Sequence, residues 1–245
     1  MMLVEGERID RIAGTRDSII QSQDVFSYSI DAVLLGRFAS IPIKAGRILD
    51  LCSGNGIVGL VVAGRTKATI QLVELQEQLH SMAERSIKLN DLTNQIVSHQ
   101  LDVKNLQNAF SHGEFDTVTC NPPYFPVHSN KLIKEKVAIA LARHELACTL
   151  NDVISSASFV LKHGGKLAMV HRPERLAEMM LVMQQNGIEP KRIRLCHARE
   201  DEPATILLVE GIKGGKPGLR IEAPLFIYQA DGEYTQRFQQ EYFNE

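Results

Sequence analysis

The chain has 245 residues, which fits one large α/β core with appendages better than two cores of ordinary length. With 44% hydrophobic and 23% charged residues it has enough apolar side chain to offset the entropy of ordering, which excludes wholesale disorder. Twenty-seven Lys and Arg against 29 Asp and Glu give a formal charge of −2, so no global positive field draws it to nucleic acid and any RNA contact is a local patch.

In chain order, Glu7 to Gln23 reads as weak strands, and Ile30 to Phe38 as a helix capped at Ser29. The apolar run Ile48 to Leu51 precedes Ser53-Gly54-Asn55-Gly56, and Ile57 to Val62 is helix-compatible, so this stretch reads strand, tight turn, helix. The unit repeats: a strand from Ala68 to Val73 ends in Glu74, and Gln78 to Leu89 is a helix. Ile96 to Leu101 ends in Asp102, and Phe115 to Cys120 ends in Asn121. After a helix from Leu150 to Lys162, Lys166 to His171 forms a further strand. Past Pro173 a helix runs to about Asn186, Arg192 to Ala198 and Ala204 to Glu210 form an antiparallel hairpin, and short strands around Arg220 and Phe226 decorate the edge. This alternation predicts a Rossmann-like sheet of seven strands, mostly parallel with one antiparallel, with helices on both faces and a ligand beyond the carboxyl ends of the strands.

No apolar run reaches the ~18 to 20 residues that span a bilayer, and acids stand near the start where a signal peptide would be basic then apolar. The expectation is a soluble, cytoplasmic protein. Cys52, Cys120, Cys148 and Cys196 form no C-x-x-C pair and lie among apolar residues, as reduced core thiols would, and no metal site is expected.

Gly54-Asn55-Gly56-Ile57-Val58-Gly59 matches G-x-G-x-x-G, a pattern that also serves any tight strand-to-helix turn. Asp50 distinguishes the two cases. A dinucleotide site places diphosphate on the helix N-terminus, and a buried carboxylate at the strand end repels it. The same carboxylate suits a cofactor with a cationic amino-acid end and no phosphate, such as S-adenosylmethionine. Glu74 can then accept both ribose hydroxyls, and Asp102 the adenine amino group, although a helix N-cap explains Asp102 equally.

Asn121-Pro122-Pro123-Tyr124 follows a strand directly, and its two prolines forbid helix and ladder pairing alike. A rigid strand exit needs no amide and no aromatic beside the prolines. A planar exocyclic nitrogen does need them, because its lone pair is delocalised. If the Asn121 side-chain oxygen and the Pro122 carbonyl each accept one N–H, the lone pair is turned toward a methyl donor. Tyr124 can stack on the planar substrate, a contact worth about 1–3 kcal/mol for a base.

Asp50-Leu51-Cys52-Ser53-Gly54-Asn55-Gly56 together with Asn121-Pro122-Pro123-Tyr124 resembles the class I S-adenosylmethionine-dependent amino methyltransferases. Gln21 and Phe26 to Leu35, with Arg143-His144-Glu145, resemble the bacterial branch that N6-methylates an adenine beside the anticodon of a valine tRNA. The resemblance implies that Asp50, Cys52, Gly54, Asn55 and Gly56 hold the methionine portion, Glu74 the ribose, and Asp102 with Val103 the adenine. It also implies that Phe26 closes over the cofactor, although ordinary packing of a capping helix explains that segment as well. On this reading 1–245 is one methyltransferase domain, with a capping segment at 1–45, the catalytic core at 46–211 and an edge extension at 212–245.

For substrate, glutamine side chains pose the same lone-pair problem as adenine, but glutamine methyltransferases carry a helical module for which the 47 residues before Ile48 are too few. Ribosomal RNA guanine is a further alternative, and a scaffold that only binds the cofactor, or a nicotinamide dehydrogenase, are the rivals of another class. Lys131, Lys134, Lys136 and Arg143 follow the Asn-Pro-Pro-Tyr turn and could grip tRNA phosphates, or could be a solvated face. Arg192, Arg194 and Arg199 alternate along one strand as a second basic set, and Lys213, Lys216 and Arg220 dot the tail.

Overall fold

A computed structural model describes residues 3–22, 29–123 and 148–243. Strands β1 (Glu7–Arg11) and β2 (Ser18–Ser22) pair antiparallel as a separate hairpin, followed by helix α1 (Ile30–Phe38). The core then alternates as expected: β3 (Arg47–Leu51), α2 (Ile57–Ala63), β4 (Thr69–Glu74), α3 (Glu77–Leu89), β5 (Ile96–Gln100) and β6 (Phe115–Cys120). Helix α4 (Leu150–Val160), β7 (Leu161–His171), α5 (Leu176–Gln185), β8 (Ile188–His197) and β9 (Ala204–Lys213) complete it. The tail adds β10 (Arg220–Ile221), β11 (Leu225–Phe226) and α6 (Gln236–Phe243).

The main sheet runs β10-β8-β9-β7-β6-β3-β4-β5, with β11 also on β8. Only β9 runs against the others, which bears out the single antiparallel strand. The count is nine rather than seven, because the two-residue strands β10 and β11 pair parallel to β8 and extend the edge. Both lie where the sequence places short edge strands, around Arg220 and Phe226, and they join the main sheet itself. Two apolar layers flank the sheet. One packs α1, α2, the tail and residues such as Ile48 and Ile70. The other packs α4 and α5 on Leu49, Leu51, Val118 and Leu167. Consecutive residues of β3 thus face opposite layers, as a strand buried on both faces requires.

Two local expectations need correction. Ser29 does sit at the N-cap of α1, but its hydroxyl donates to the Asp31 carboxylate instead of accepting a backbone N–H. The tail is more than edge strands: α6 buries Phe238 and Tyr242 against the layer containing α1, a helix whose polar composition hid its two anchoring aromatics.

Strand register brings the distant motifs together. Leu51 pairs with Cys120 and with Val73, and Glu74 pairs with Gln100. Neighbouring strands lie ~4.8 Å apart. The Cys52–Gly56 turn, Glu74, Asp102 and Asn121 therefore all leave the sheet at one edge within a few strand spacings.

Candidate active site

Asp50 is the innermost group of this edge. It is 1% exposed, and the Thr119 hydroxyl on adjacent β6 donates to its Oδ1 at 2.7 Å. Its Oδ2 has no hydrogen-bond partner among the described residues, nor has Ser53 Oγ beside it. Burial pushes the Asp50 carboxyl up to about 7. The Thr119 hydroxyl and the nearby Gly59 N–H oppose this, the latter short of hydrogen-bonding geometry, and the Glu74 charge adds to it. An orphaned buried carboxylate oxygen is costly, and a cation or donor supplied by a ligand would satisfy it.

The turn above Asp50 is shaped by backbone freedom. Gly54 adopts φ +57° and a Cβ there would meet nothing within 4 Å, so its backbone borders open space. Gly59 has the opposite reason: a Cβ would come within 2.4 Å of Leu72 Cδ2, so glycine lets α2 lie close on β4. Cys52 also takes a left-handed φ of 53°, uncommon for a residue with a side chain and a form of strain that clusters at functional sites.

Glu74 is buried at the end of β4, where Oε2 accepts from the Gly54 N–H and Oε1 from the Gln76 N–H, both at 2.9 Å. Each carboxylate oxygen retains a further lone pair, so the side chain is held in place with capacity to accept hydroxyls. Asp102 N-caps the short 3₁₀ turn Val103–Asn108, accepting from the Lys104 N–H at 2.9 Å, so the capping explanation accounts for its visible geometry. Val103 is buried in the layer under β3 and β4.

Asn55 is held by the protein itself. Its amide is buried and donates to the Ile20 carbonyl at 3.0 Å, so this side chain ties the turn to β2 and is already engaged within the protein. The hairpin is also held to α3, with Ser86 Oγ accepting from the Ile20 N–H at 3.0 Å and Arg85 pairing Glu7 through both guanidinium ends. Sequence spacing gave no sign of this tether. Asn as the middle residue of G-N-G, where the turn itself needs no amide, is the signal that was present.

Three of the cysteines converge at the same edge. Cys52 interacts with Cys120 and Cys148, and all three thiols are pushed up, Cys52 first by its contact with Cys120, Cys120 by burial, and Cys148 by its contact with Cys52 and then by burial, so they are poor nucleophiles here. Asn121 is half-buried and Pro122 buried directly after β6. Phe26, Tyr124, Lys131, Lys134, Lys136 and Arg143 lie outside the described residues.

The second basic set is not a free phosphate grip. Arg192 pairs with Glu210 at 3.0 Å and Glu222 at 2.8 Å, Arg194 makes a two-pronged pair with Glu241, and Arg199 pairs with Glu202. Lys213 donates to the Ser158 and Leu161 carbonyls. Alternation along β8 turned two of these arginines inward, where charge must be neutralised. Among the described residues no cluster of three or more His, Cys, Asp or Glu could hold a metal, and no helix is long and apolar enough to cross a membrane.

A family model, the methyltransferase small domain, matches residues 18–186. A relative from Shewanella sp. (strain W3-18-1), named tRNA1(Val) (adenine(37)-N6)-methyltransferase, is 28% identical over 162 residues, 66% of each chain. One of the same name from Tolumonas auensis is 29% identical over 224 residues, 90% of each chain. The match thus spans about two thirds of the first relative's length and nine tenths of the second's. The solved structure of a predicted O-methyltransferase from Agrobacterium tumefaciens superposes with a TM-score of 0.71 at 27% identity, covering 87% of this chain and 95% of that one. With the family match reaching from the hairpin through α5, over a sheet whose carboxyl edge carries the orphaned Asp50 and the Asn-Pro-Pro turn, this chain belongs to the methyltransferase small domain family.

Proposed function

We propose that this enzyme methylates the exocyclic N6 of an adenine in tRNA, the anticodon-loop adenine of a valine tRNA, with S-adenosylmethionine as donor. The observation that carries the cofactor reading is the unpartnered Oδ2 of buried Asp50 under a turn whose Gly54 borders open space. Those residues fit a ligand with a cationic amino-acid end and would clash electrostatically with a diphosphate. Asp50 and Ser53 would hold that end, the Gly54 and Gly56 backbone would give it room, Glu74 would hold the ribose, and Asp102 with Val103 would border the adenine. The bound cofactor supplies an electrophilic methyl on a sulfonium.

The protein's own work is positional. Asn121 Oδ1 and the Pro122 carbonyl would each accept one N–H of the target amine, turning its lone pair toward the methyl and stabilising positive charge as it develops. Pro122 and Pro123 keep that backbone rigid, and Tyr124 is assigned the stacking role on the motif's chemistry alone. An adenine in a loop can be splayed out without opening a duplex, which lowers the cost of presenting it. The names of the two relatives support tRNA over release factor or ribosomal RNA. An acceptor nitrogen, rather than the oxygen named for the Agrobacterium protein, is favoured by the Asn-Pro-Pro turn, since paired acceptors serve an NH₂ group. We read the chain as one cytoplasmic methyltransferase domain, divided at 1–45, 46–211 and 212–245, with tRNA contacts from Lys131, Lys134, Lys136 and Arg143.

The test is transfer of labelled methyl from the cofactor into bulk tRNA, release factor and ribosomal RNA in parallel, followed by nucleoside analysis. N6-methyladenosine confined to tRNA is expected. Label in release factor or in ribosomal guanine would replace this reading with the corresponding alternative, and no label with cofactor bound would make the protein a scaffold.

A further inference from the structure

At the end of α2 away from the glycine turn, the tail folds back over α1 and borders a half-open cavity of about 490 Å³. α2 has seven residues, or ~10 Å at 1.5 Å each, so this cavity is separate from the cofactor edge. Its charged lining is Arg37, Arg65, Arg192, Arg194, Glu222 and Glu241.

The charges do not balance. Glu210 and Glu222 are both taken by Arg192, and Glu241 is shared by Arg194 and Arg237. Arg37 and Arg65 have no carboxylate within ion-pair distance among the described residues. Arg37 donates to the Gly14 carbonyl at 2.8 Å, and Arg65 to the Gly36 and Ala39 carbonyls at the end of α1. Arg37 Nε and Arg194 Nε have no hydrogen-bond partner among the described residues. Burial weakens proton binding at both unneutralised arginines, and at Arg65 the Arg37 and Arg192 cations add to this, with Glu210 opposing.

Two half-buried guanidinium groups facing one cavity repel each other at a cost that an anion between them would remove. Their planar forks match an oxyanion bearing several acceptor oxygens. The surplus of two cations among the lining groups suits a phosphate better than a lone carboxylate, and the volume admits the organic group that carries it. We infer that this cavity is a phosphate-binding site in which Arg37 and Arg65 grip the phosphate group, and that the C-terminal tail serves to build it. The phosphate comes either from a small phosphorylated molecule or from the backbone of the bound RNA; the second source rests on the function proposed above.

The probe is inorganic phosphate, titrated into the full chain by calorimetry and by thermal melting against sodium chloride of equal ionic strength. Phosphate is expected to bind with heat and to raise Tm beyond the chloride control. Arg37→Gln and Arg65→Lys should each weaken phosphate binding at least tenfold, the lysine variant keeping the charge and a donor for the α1 carbonyls while losing the fork. Equal effects of phosphate and chloride on the wild-type protein overturn the inference, as does undiminished phosphate binding in both variants. A tRNA arm separates the sources. Competition by phosphate, with weaker tRNA binding by Arg37→Gln, identifies the RNA backbone, whereas unchanged tRNA binding with lost phosphate binding identifies a small molecule. Failure of tRNA methylation would sink the proposed function and leave the phosphate result standing.

Discussion

Two buried charge clusters in this protein have opposite fates. Around β8 and β9, Arg192 pairs with Glu210 and Glu222 and Arg194 with Glu241, with Ser40 donating to both oxygens of Glu210. At the carboxyl edge, Asp50 has one hydroxyl donor and an orphaned oxygen, and the charge that acts on it is another carboxylate, Glu74. In the first cluster every one of these charges has an opposite charge within the protein. The second is incomplete, and the completing charge must arrive from outside. The difference teaches that a buried charge signals function when its partner is missing, rather than merely because it is buried.

The sharpest way to break this contrast lies at the functional edge. Asn121→Ala should lower kcat by ~10²-fold or more, the scale for loss of one preorganised hydrogen bond to a developing charge, with cofactor Kd changed by less than about threefold on the same scale of reasoning. Single-turnover rates and calorimetry measure both, and retained turnover would remove Asn121 from the mechanism. At the paired cluster, Glu210→Ala leaves Arg192 with Glu222 as its one carboxylate partner among the described residues and should cost ~2–4 kcal/mol in urea unfolding. Transfer per folded molecule should stay normal, and a selective loss of activity would blur the division between the clusters.

Acidity gives the next effect. Since Asp50 is lifted from its ordinary 3.8 to about 7, the native state holds a proton that the unfolded chain has lost in that range. Its contribution to stability is therefore full below 3.8 and is lost as pH rises to about 7. A cationic ligand needs the ionised form, so cofactor affinity should fall ~tenfold per pH unit below 7. Asp50→Asn should bind more weakly at pH 8 and show no such slope, and a slope persisting in that variant would assign the proton elsewhere. The smallest expected effect is at the tether. Asn55→Ala removes one hydrogen bond to Ile20 and should cost ~1 kcal/mol of stability, with cofactor Kd rising severalfold because the turn is no longer braced on the hairpin. A variant with normal Kd would make Asn55 a purely structural strut.

Much of the architecture was legible in the residues themselves. The β3–α2–β4–α3 repeat, the β8–β9 hairpin and the polar residue at each strand end follow from apolar periodicity and from the need to leave a buried sheet through groups that can face solvent. The Asp50, Glu74 and Asn121 positions were readable because their chemistry is local to a strand end. The N-terminal tether, the inward turn of Arg192 and Arg194 and the role of α6 were not, because each depends on partners dozens of residues away. Asn55 meets Ile20, Arg192 meets Glu210 on the neighbouring strand and Glu222 in the tail, and Arg194 meets Glu241.

By itself the sequence determined the order of elements, the conformational freedom of the Gly54 turn and the chemistry available at the carboxyl edge, all consequences of short-range sterics and hydrophobic period. Only the tertiary structure decided which buried charges are paired. Neutralisation in a low-dielectric interior depends on distances of a few ångströms between groups that the chain itself does not bring near. That is why Asp50 stands as an open acceptor at one end of α2 while Arg37 and Arg65, donating only to backbone carbonyls, stand without a carboxylate partner among the described residues at the other.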